Sequence, residues 1–132
     1  MALTPLLTPD APAPIGPYSQ AIRAGATVYL SGQIALDPAT GQLVAGSLTD
    51  ETERVMQNLQ AVLTAAGLGF GQVAKVTIFL TDMAFFQEVN TVYGRYFEGL
   101  VPPARETVAV AGLPRGVRVE ISAIAVAVAV VS

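Results

Sequence analysis

Arg105 and Glu120 are the residues of this sequence whose types and spacing are best suited to chemistry. They fall in two β-branched, apolar segments on either side of the Gly- and Pro-containing loop at 112–116, a composition that predicts an antiparallel hairpin. Without a slip in register, the hairpin places Arg105 opposite Glu120 on one face of the sheet. A guanidinium could hold an anionic group there while the carboxylate orients or deprotonates a water molecule.

The same pair also has a purely structural interpretation. Oppositely charged side chains often face each other across neighbouring strands, and such an ion pair contributes little stability when it is exposed. Ion-pair networks also shift pKa values where no chemistry takes place. From the spacing alone, we therefore favour a cross-strand ion pair over a functional site.

The composition restricts the available chemistry further. The 132 residues include no His and no Cys, which excludes imidazole bases, thiolate nucleophiles and metal sites built on either side chain. Acid–base catalysis must then depend on Asp, Glu, Lys, Tyr or a bound water. The net charge is −3 and the basic residues are scattered, so binding to the phosphate backbone of a nucleic acid is disfavoured.

Length and composition predict a single domain, residues 1–132, that associates with other copies. Hydrophobic residues make up 52% of the chain and charged residues only 13%, which is more apolar surface than one small domain can hide from water. The apolar runs are too short to span a bilayer, which needs about 20 residues. The N-terminal segment has no basic start followed by a long apolar stretch, so we expect no secretory signal and a cytoplasmic location.

The elements that must position these residues follow from hydrophobic periodicity. Residues 1–17 hold most of the prolines and predict an irregular, partly extended arm. Two strands, a helix, a strand, a helix and two more strands follow the arm. This order of elements predicts an α+β sandwich, with both helices on one face of a mainly antiparallel sheet and the other face covered by other subunits. The further elements are a hairpin of 18–22 with 27–31, a helix over 49–66 capped by Thr49 or Asp50, a central strand over 73–81, a helix from Thr81 or Asp82 to about Gly99, and a final strand over 121–131.

Asn90 is a polar residue beside the apolar stripe of the second predicted helix. The aromatic members of that stripe, Phe86 and Tyr93, are typical of core residues at this spacing. An amide next to them must find hydrogen-bond partners or face a polar cleft. Asn90 is therefore expected in one of these two environments.

Several short motifs of this chain, taken together in their order and spacing, resemble those of the RidA (YjgF/YER057c/UK114) family. The resemblance runs from about residue 8 to the end, and any single motif would carry little weight alone. The motifs are Ile-Gly-Pro-Tyr-Ser-Gln-Ala at 15–21, Leu-Ser-Gly-Gln-Ile at 30–34, Asn90 with Tyr93, Pro-Ala-Arg at 103–105, and Val-Glu-Ile-Ser-Ala-Ile-Ala at 119–125.

The resemblance implies a chorismate-mutase-like fold and a homotrimer whose sheets face the interior, with ligand clefts between subunits. It also implies a 2-iminobutanoate/2-iminopropanoate deaminase, which hydrolyses 2-imino acids and enamines released by pyridoxal-phosphate enzymes, derived from 2-aminoacrylate and 2-aminocrotonate, to 2-keto acids and ammonium. An iminium carbon is already electrophilic, so this reaction requires an oriented water and a proton acceptor. We therefore expect no cofactor and no metal.

The resemblance also implies roles for individual residues. Arg105 would hold the substrate carboxylate, since a planar guanidinium matches a carboxylate better than an ammonium does, and Glu120 would position the attacking water. We expect Glu120 to stay ionised beside Arg105 when the site is empty. The rest of the cleft, partly from a neighbouring chain, would be formed by Tyr18, Ser31, Gly32, Asn90 and Thr107.

The sequence departs from the family pattern at two positions, and other activities are open. Thr107 replaces a Cys found in several family members, so no thiol role carries over, and Ser122 replaces a Glu found in many. One alternative is a regulatory trimer that binds a small carboxylate without turning it over, although the presence of Glu120 favours an enzyme. Another is a holdase chaperone or an RNA-cleaving translation inhibitor, and the acidic charge and absent His argue against RNA cleavage.

Overall fold

The structure is a computed structural model that describes residues 2–44 and 46–128. Its six strands form one sheet in the order β1-β2-β3-β6-β4-β5, and two helices pack against one face of it. The elements are β1 (Leu3–Leu6), β2 (Ala21–Ala24), β3 (Thr27–Gln33), α1 (Leu48–Ala65), β4 (Val73–Leu80), α2 (Phe86–Arg95), β5 (Ala104–Ala109) and β6 (Val119–Val126).

The two predicted helices and the central strand are confirmed, with small changes at their ends. Helix α1 is capped by Ser47, whose side chain accepts the N–H of Asp50, rather than by Thr49 or Asp50. Helix α2 is shorter than predicted, because Asp82 caps a separate 3-10 turn over Met83–Phe85. The end of the predicted last strand, residues 129–131, lies outside the described residues.

The core lies between the helices and one face of the sheet. Alternate residues of β4 and β6 are buried there, because successive side chains of a strand point to opposite faces. The predicted apolar stripes of α1 and α2 pack onto them. The core residues include Val55, Leu59, Val62 and Leu63 of α1, Val89 and Tyr93 of α2, Val76, Ile78 and Leu80 of β4, and Val119 and Ile121 of β6.

The opposite face of the sheet, which we call the open face, is not covered within one chain. Tyr29 is 50% exposed and Val108 39% exposed, and the intervening residues Phe79 and Ile124 are half-buried. These side chains come from β3, β6, β4 and β5, four of the six strands, and polar side chains such as that of Thr77 lie between them on the same face. Exposed aromatic and aliphatic side chains on this face agree with the apolar composition of the chain.

The predicted hairpin between the last two strands is wrong. Strand β5 pairs in parallel with β4, and β6 pairs antiparallel with the opposite edge of β4. The segment β4-α2-β5 is a strand–helix–strand unit, whose crossover helix brings the second strand back parallel to the first. The chain then passes around the end of β4, where Leu80 accepts the N–H of Val110 and Thr81 donates to the carbonyl of Arg118.

The N-terminal arm is more ordered than predicted. Strand β1 pairs antiparallel with β2 at the edge of the sheet, a position where Pro5 is tolerated because an edge strand leaves one side of its backbone unpaired. Residues 8–12 are then held by Gln20, which is only 2% exposed. Its side chain accepts the N–H of Thr8 at 2.7 Å and donates to the carbonyls of Thr8, Ala11 and Pro12 at 3.0, 3.2 and 2.9 Å.

Replacing Gln20 with alanine is expected to lower the free energy of unfolding by about 2–4 kcal/mol, because it leaves several buried backbone groups without partners. Urea unfolding at fixed protein concentration measures the change. Gln60→Ala, on the exposed surface of α1, is the matched control and should stay within about 0.5 kcal/mol of the parent protein. Equal effects of the two substitutions would contradict this role for Gln20.

Candidate active site

Glu120 lies in the wall of a cavity of about 480 Å³ beside β3 and the start of β6. Three of the residues predicted for the cleft, Tyr18, Ser31 and Gly32, line the same cavity. The N-terminal arm and the loop before β6 complete it, so the arm that Gln20 holds in place forms part of the wall. The other lining residues include Pro12, Ile15, Gln20, Pro114 and Arg115.

A local irregularity in β3 makes room for the Glu120 carboxylate. The pairing of β3 with β6 shifts register between Leu30 and Gln33, which is where Ser31 and Gly32 lie. A Cβ on Gly32 would be 2.2 Å from Oε2 of Glu120, far closer than two such atoms can approach. Glycine is therefore required at position 32 for the carboxylate to lie against the strand.

Burial raises the pKa of the Glu120 carboxyl above its ordinary value, because partial loss of water disfavours the charged form. Arg105 does not contribute to this shift within one chain, and the expectation that it keeps Glu120 ionised in an empty cleft stays a prediction for the assembled protein. Glu120 faces Phe79 across the β4–β6 ladder and lies on the open face. A carboxylate with a raised pKa is a better proton acceptor than an ordinary exposed one.

Arg105 lies on the other face of the sheet, next to α2. It is opposite Val76 in the β4–β5 ladder, and Val76 is buried under the helices. Nη1 of Arg105 donates to Oδ1 of Asn90 at 2.7 Å, and the guanidinium lies 5.0 Å from the ring centroid of Tyr93 and 5.7 Å from that of Phe86. These contacts hold the plane of the guanidinium.

Arg105 has no carboxylate partner within the described part of the chain. The three ion pairs found there join Lys75 to Glu106, Arg95 to Glu53 and Arg118 to Glu51. An oriented guanidinium that retains unused donors can bind a planar anion such as a carboxylate through two parallel hydrogen bonds.

Two buried hydroxyls are found on the same side of the sheet as Arg105. The hydroxyls of Thr107 and Tyr93 have no hydrogen-bond partner among the described residues. Burial raises the pKa of Tyr93, and the nearby Arg105 partly offsets this effect. The predicted residues Asn90, Arg105 and Thr107 are therefore together, in a polar patch beside α2.

The predicted site residues thus form two sets on opposite faces of the sheet. The prediction that Arg105 faces Glu120 within one chain is wrong, because β4 lies between the strands that carry them. We call the two sets the cavity set and the helix-side set. The cavity set is Tyr18, Ser31, Gly32 and Glu120, and the helix-side set is Asn90, Arg105 and Thr107.

Two members of the cavity set also have structural roles. The hydroxyl of Ser31 donates to the carbonyl of Ser19 at 2.6 Å, and the hydroxyl of Tyr18 accepts the N–H of Ile15 at 3.3 Å. Both bonds shape the arm that walls the cavity. The Ser31 oxygen can still accept a hydrogen bond, and the Tyr18 side chain is 53% exposed.

Two further residues that contact these sets were not among the predicted site residues. Tyr93 was assigned to the core, where it is buried, but its ring also stacks on Arg105; its position one helical turn after Asn90 was the available signal. Arg115 lines the cavity with φ of 57°, a left-handed conformation uncommon outside glycine. No local pattern marks Arg115 as a cavity residue.

Neither a cluster of metal-binding side chains nor a membrane-spanning helix is found among the described residues. Residues 2–44 and 46–128 contain no group of three or more acidic side chains arranged to hold a metal ion. In the same ranges, neither helix combines the length and apolar character needed to cross a bilayer.

Comparison with known proteins adds an independent line of information. The chain matches the family model described as Endoribonuclease L-PSP over residues 8–127. Protein DfrA of Myxococcus xanthus is 57% identical over 128 residues, which are 96% of this chain and 97% of that protein. A 2-iminobutanoate/2-iminopropanoate deaminase of Mus musculus is 52% identical over 119 residues, which are 90% of this chain and 87% of that protein.

The fold agrees with these matches. The structure of YyfA, a Rid family protein of Yersinia pestis, superposes with a TM-score of 0.93 at 44% identity and covers 95% of this chain and 99% of that one. Sequence and fold agree over nearly the whole length, and the motifs at Tyr18, Ser31, Arg105 and Glu120 lie inside the matched range. The chain therefore belongs to the RidA (YjgF/YER057c/UK114) family, whose model is described as Endoribonuclease L-PSP.

Proposed function

We propose that this protein hydrolyses 2-imino acids and their enamine tautomers to 2-keto acids and ammonium, with substrates derived from 2-aminoacrylate and 2-aminocrotonate. The observation that carries the proposal is the half-buried Glu120 carboxylate, which lies against Gly32 in a cavity and has a raised pKa. The name of the mouse relative, 2-iminobutanoate/2-iminopropanoate deaminase, supports the same reaction.

The active unit is a homotrimer in this proposal. Each cleft combines the helix-side set of one copy with the cavity set of the next, which brings Arg105 and Glu120 together although they lie on opposite faces of one chain. The exposed aromatic and aliphatic side chains of the open face, Tyr29 and Val108 among them, support such an assembly, since exposed apolar side chains are common at protein interfaces. Sedimentation velocity measures the oligomeric state, and a monomer at micromolar concentration would reject this arrangement.

The reaction proceeds by addition of water and loss of ammonia. Arg105 binds the substrate carboxylate, which fixes the position of the neighbouring iminium carbon. Glu120 takes one proton from a water as the water oxygen bonds to that carbon. Glu120 returns that proton to the nitrogen of the tetrahedral intermediate. The C–N bond then breaks, and the hydroxyl passes its proton through Glu120 to the departing ammonia, so the products are the keto acid and ammonium.

The direct test supplies the imine enzymatically. Threonine dehydratase and threonine generate 2-aminocrotonate and its imine, and semicarbazide traps the imine that remains unhydrolysed. Micromolar amounts of the protein should shorten the imine lifetime and reduce the semicarbazone formed. An unchanged lifetime would reject the enzyme and favour a regulatory trimer that only binds a small carboxylate.

In the substrate complex the substrate carboxylate pairs with Arg105 and offsets its charge, so the effect of burial on the pKa of Glu120 remains. This burial, which raises the pKa, predicts an acid-side loss of kcat at a higher pH than for an ordinary Glu. The carboxylate form is the proton acceptor, so kcat should be fully expressed above the pKa of the group and fall as the pH drops through it. Turnover in excess trapping agent, measured from pH 4 to 8 with the uncatalysed rate subtracted, gives this profile. An acid limb at or below about pH 4.3 would contradict the assignment.

Replacing Gly32 with alanine is expected to leave the fold intact and lower kcat/KM by at least about tenfold. The added Cβ would displace the Glu120 carboxylate, which is the end of a flexible side chain and can move, and small misplacements of a reacting group are costly in rate. Gly94→Ala, in α2 with open space around the new Cβ, is the matched control and should retain parental activity. Equal activity of the two variants would show that catalysis does not depend on glycine at position 32.

The family description leaves RNA cleavage as a competing activity. The chain has a net charge of −3 and no His, so it offers RNA neither a strong electrostatic attraction nor an imidazole acid–base pair. Any nuclease activity in a preparation should separate from the protein on further chromatography. Cleavage that follows the protein through each step, and is lost in Glu120→Gln, would favour the ribonuclease.

A further inference from the structure

Glu51 is a buried acidic residue that contacts the start of strand β6. It lies in the first turn of α1 and is only 5% exposed. Its Oε2 accepts the backbone N–H of Arg118 at 2.8 Å and that of Val119 at 3.2 Å, and its Oε1 accepts Nε of Arg118 at 2.8 Å. Three donors therefore converge on one carboxylate, immediately before Glu120 in the chain.

The carboxylate of Glu51 accepts hydrogen bonds from the start of β6, on the edge where β3 no longer pairs with it. Strand β3 pairs with β6 only up to Gln33 opposite Ile121, whereas β6 begins at Val119. On the other edge, β4 still pairs with Val119, and the carbonyl of Arg118 accepts the N–H of Thr81 at 3.1 Å. The peptide group between Arg118 and Val119 is thus held from both sides, its carbonyl by Thr81 at the end of β4 and its N–H by Glu51.

We infer that Glu51 is a positioning residue for Glu120. By holding the backbone N–H groups of Arg118 and Val119, it fixes the chain one residue before Glu120, sets the direction in which the Glu120 side chain leaves the backbone and keeps its carboxylate against Gly32. This inference rests on the proposed function, in which that carboxylate orients the attacking water. A shift of about 1 Å in a reacting group can lower a rate about 100-fold.

Three substitutions distinguish a positioning role of Glu51 from a role in stability alone, because each removes a different part of its contacts with Arg118 and Val119. Arg118→Ala removes the ion pair to Glu51 but leaves both peptide N–H groups bound. Glu51→Gln removes the charge but keeps a carbonyl oxygen that can accept the same N–H groups. Glu51→Ala removes the acceptor altogether, and buried N–H groups without a partner will draw the start of β6 into a new position.

The experiment measures kcat, KM, the acid limb of the pH profile and the urea midpoint for the four proteins. We expect Arg118→Ala and Glu51→Gln to keep kcat within about threefold of the parent. Glu51→Ala should lose at least about tenfold in kcat, with KM within about threefold and a displaced acid limb, because the water-orienting group has moved.

The outcomes separate this inference from the proposed function. An inactive parent protein rejects the proposed function itself. An active parent with Glu51→Ala inside the threefold range overturns the positioning role, as does a loss of kcat in Arg118→Ala equal to that in Glu51→Ala. Should Glu51→Ala fail to fold, Glu51→Asp takes its place, because the shorter carboxylate keeps its charge but withdraws from the two N–H groups; an unchanged kcat in Glu51→Asp then overturns the inference.

Discussion

Replacing Arg105 with alanine is expected to lower kcat/KM for imine hydrolysis by about 10²–10³-fold. The guanidinium is the proposed anchor of the substrate carboxylate, and a bidentate charge-assisted pair contributes several kcal/mol when water is excluded. Asn90, Tyr93 and Phe86 already fix its orientation, so the loss includes the positioning of the reacting carbon. The coupled dehydratase assay, run over a range of threonine concentrations, measures the change.

Arg105→Lys separates charge from geometry. Lysine keeps the positive charge but provides neither the planar pair of donors nor the stacking on two aromatic rings. We expect it to recover only part of the lost activity, with a higher KM than the parent. Parental kinetics in an Arg105→Ala protein that is folded and assembled would remove this residue from the mechanism.

Replacing Glu120 with glutamine is expected to lower kcat by about 10²–10⁴-fold with a small change in KM, because the amide has nearly the same shape but cannot accept the proton from water. Single-turnover measurements with freshly generated imine, in which semicarbazide captures what remains unhydrolysed, quantify the effect. Binding of a 2-keto acid, followed by calorimetry, shows whether the cleft is intact. A kcat within threefold of the parent would show that Glu120 is not the proton acceptor.

Mixing the two inactive variants tests whether each cleft is shared. In a cyclic trimer assembled at random from equal amounts of Arg105→Ala and Glu120→Gln chains, about a quarter of the clefts combine an intact helix-side set with an intact cavity set. Co-expression or joint refolding should therefore restore about a quarter of the parental activity. Mixed trimers with no restored activity would show that the two residues do not meet between copies.

Local sequence patterns predicted the elements well and their pairing poorly. The stripe of α1 and the β-branched run of β4 are signals contained within one segment, and both elements are found close to the predicted positions. The partner of β5 depends on the whole β4-α2-β5 crossover, which a short Gly- and Pro-containing loop at 112–116 does not reveal. The loop has hairpin composition, but it leads the chain around the end of β4.

The candidate site shows the same difference between features encoded within one segment and features that depend on how segments pair. The motif resemblance pointed to the cavity set and the helix-side set, and the structure brings the members of each set together. Their separation by β4 depends on strand order, which no local spacing encodes. Glu51 was not predicted for the same reason, because its contacts with Arg118 and Val119 join distant parts of the chain.

The location of Arg105 and Glu120 on opposite faces has a consequence for mixed populations of chains. In the proposed ring of three, every copy serves two clefts, one through each face. A chain defective at both residues therefore silences two clefts of its ring, although it is only one of three members. Each cleft needs two intact chains, so turnover should fall with the square of the fraction of intact chains. A defective allele expressed beside a normal one would therefore act as a dominant inhibitor.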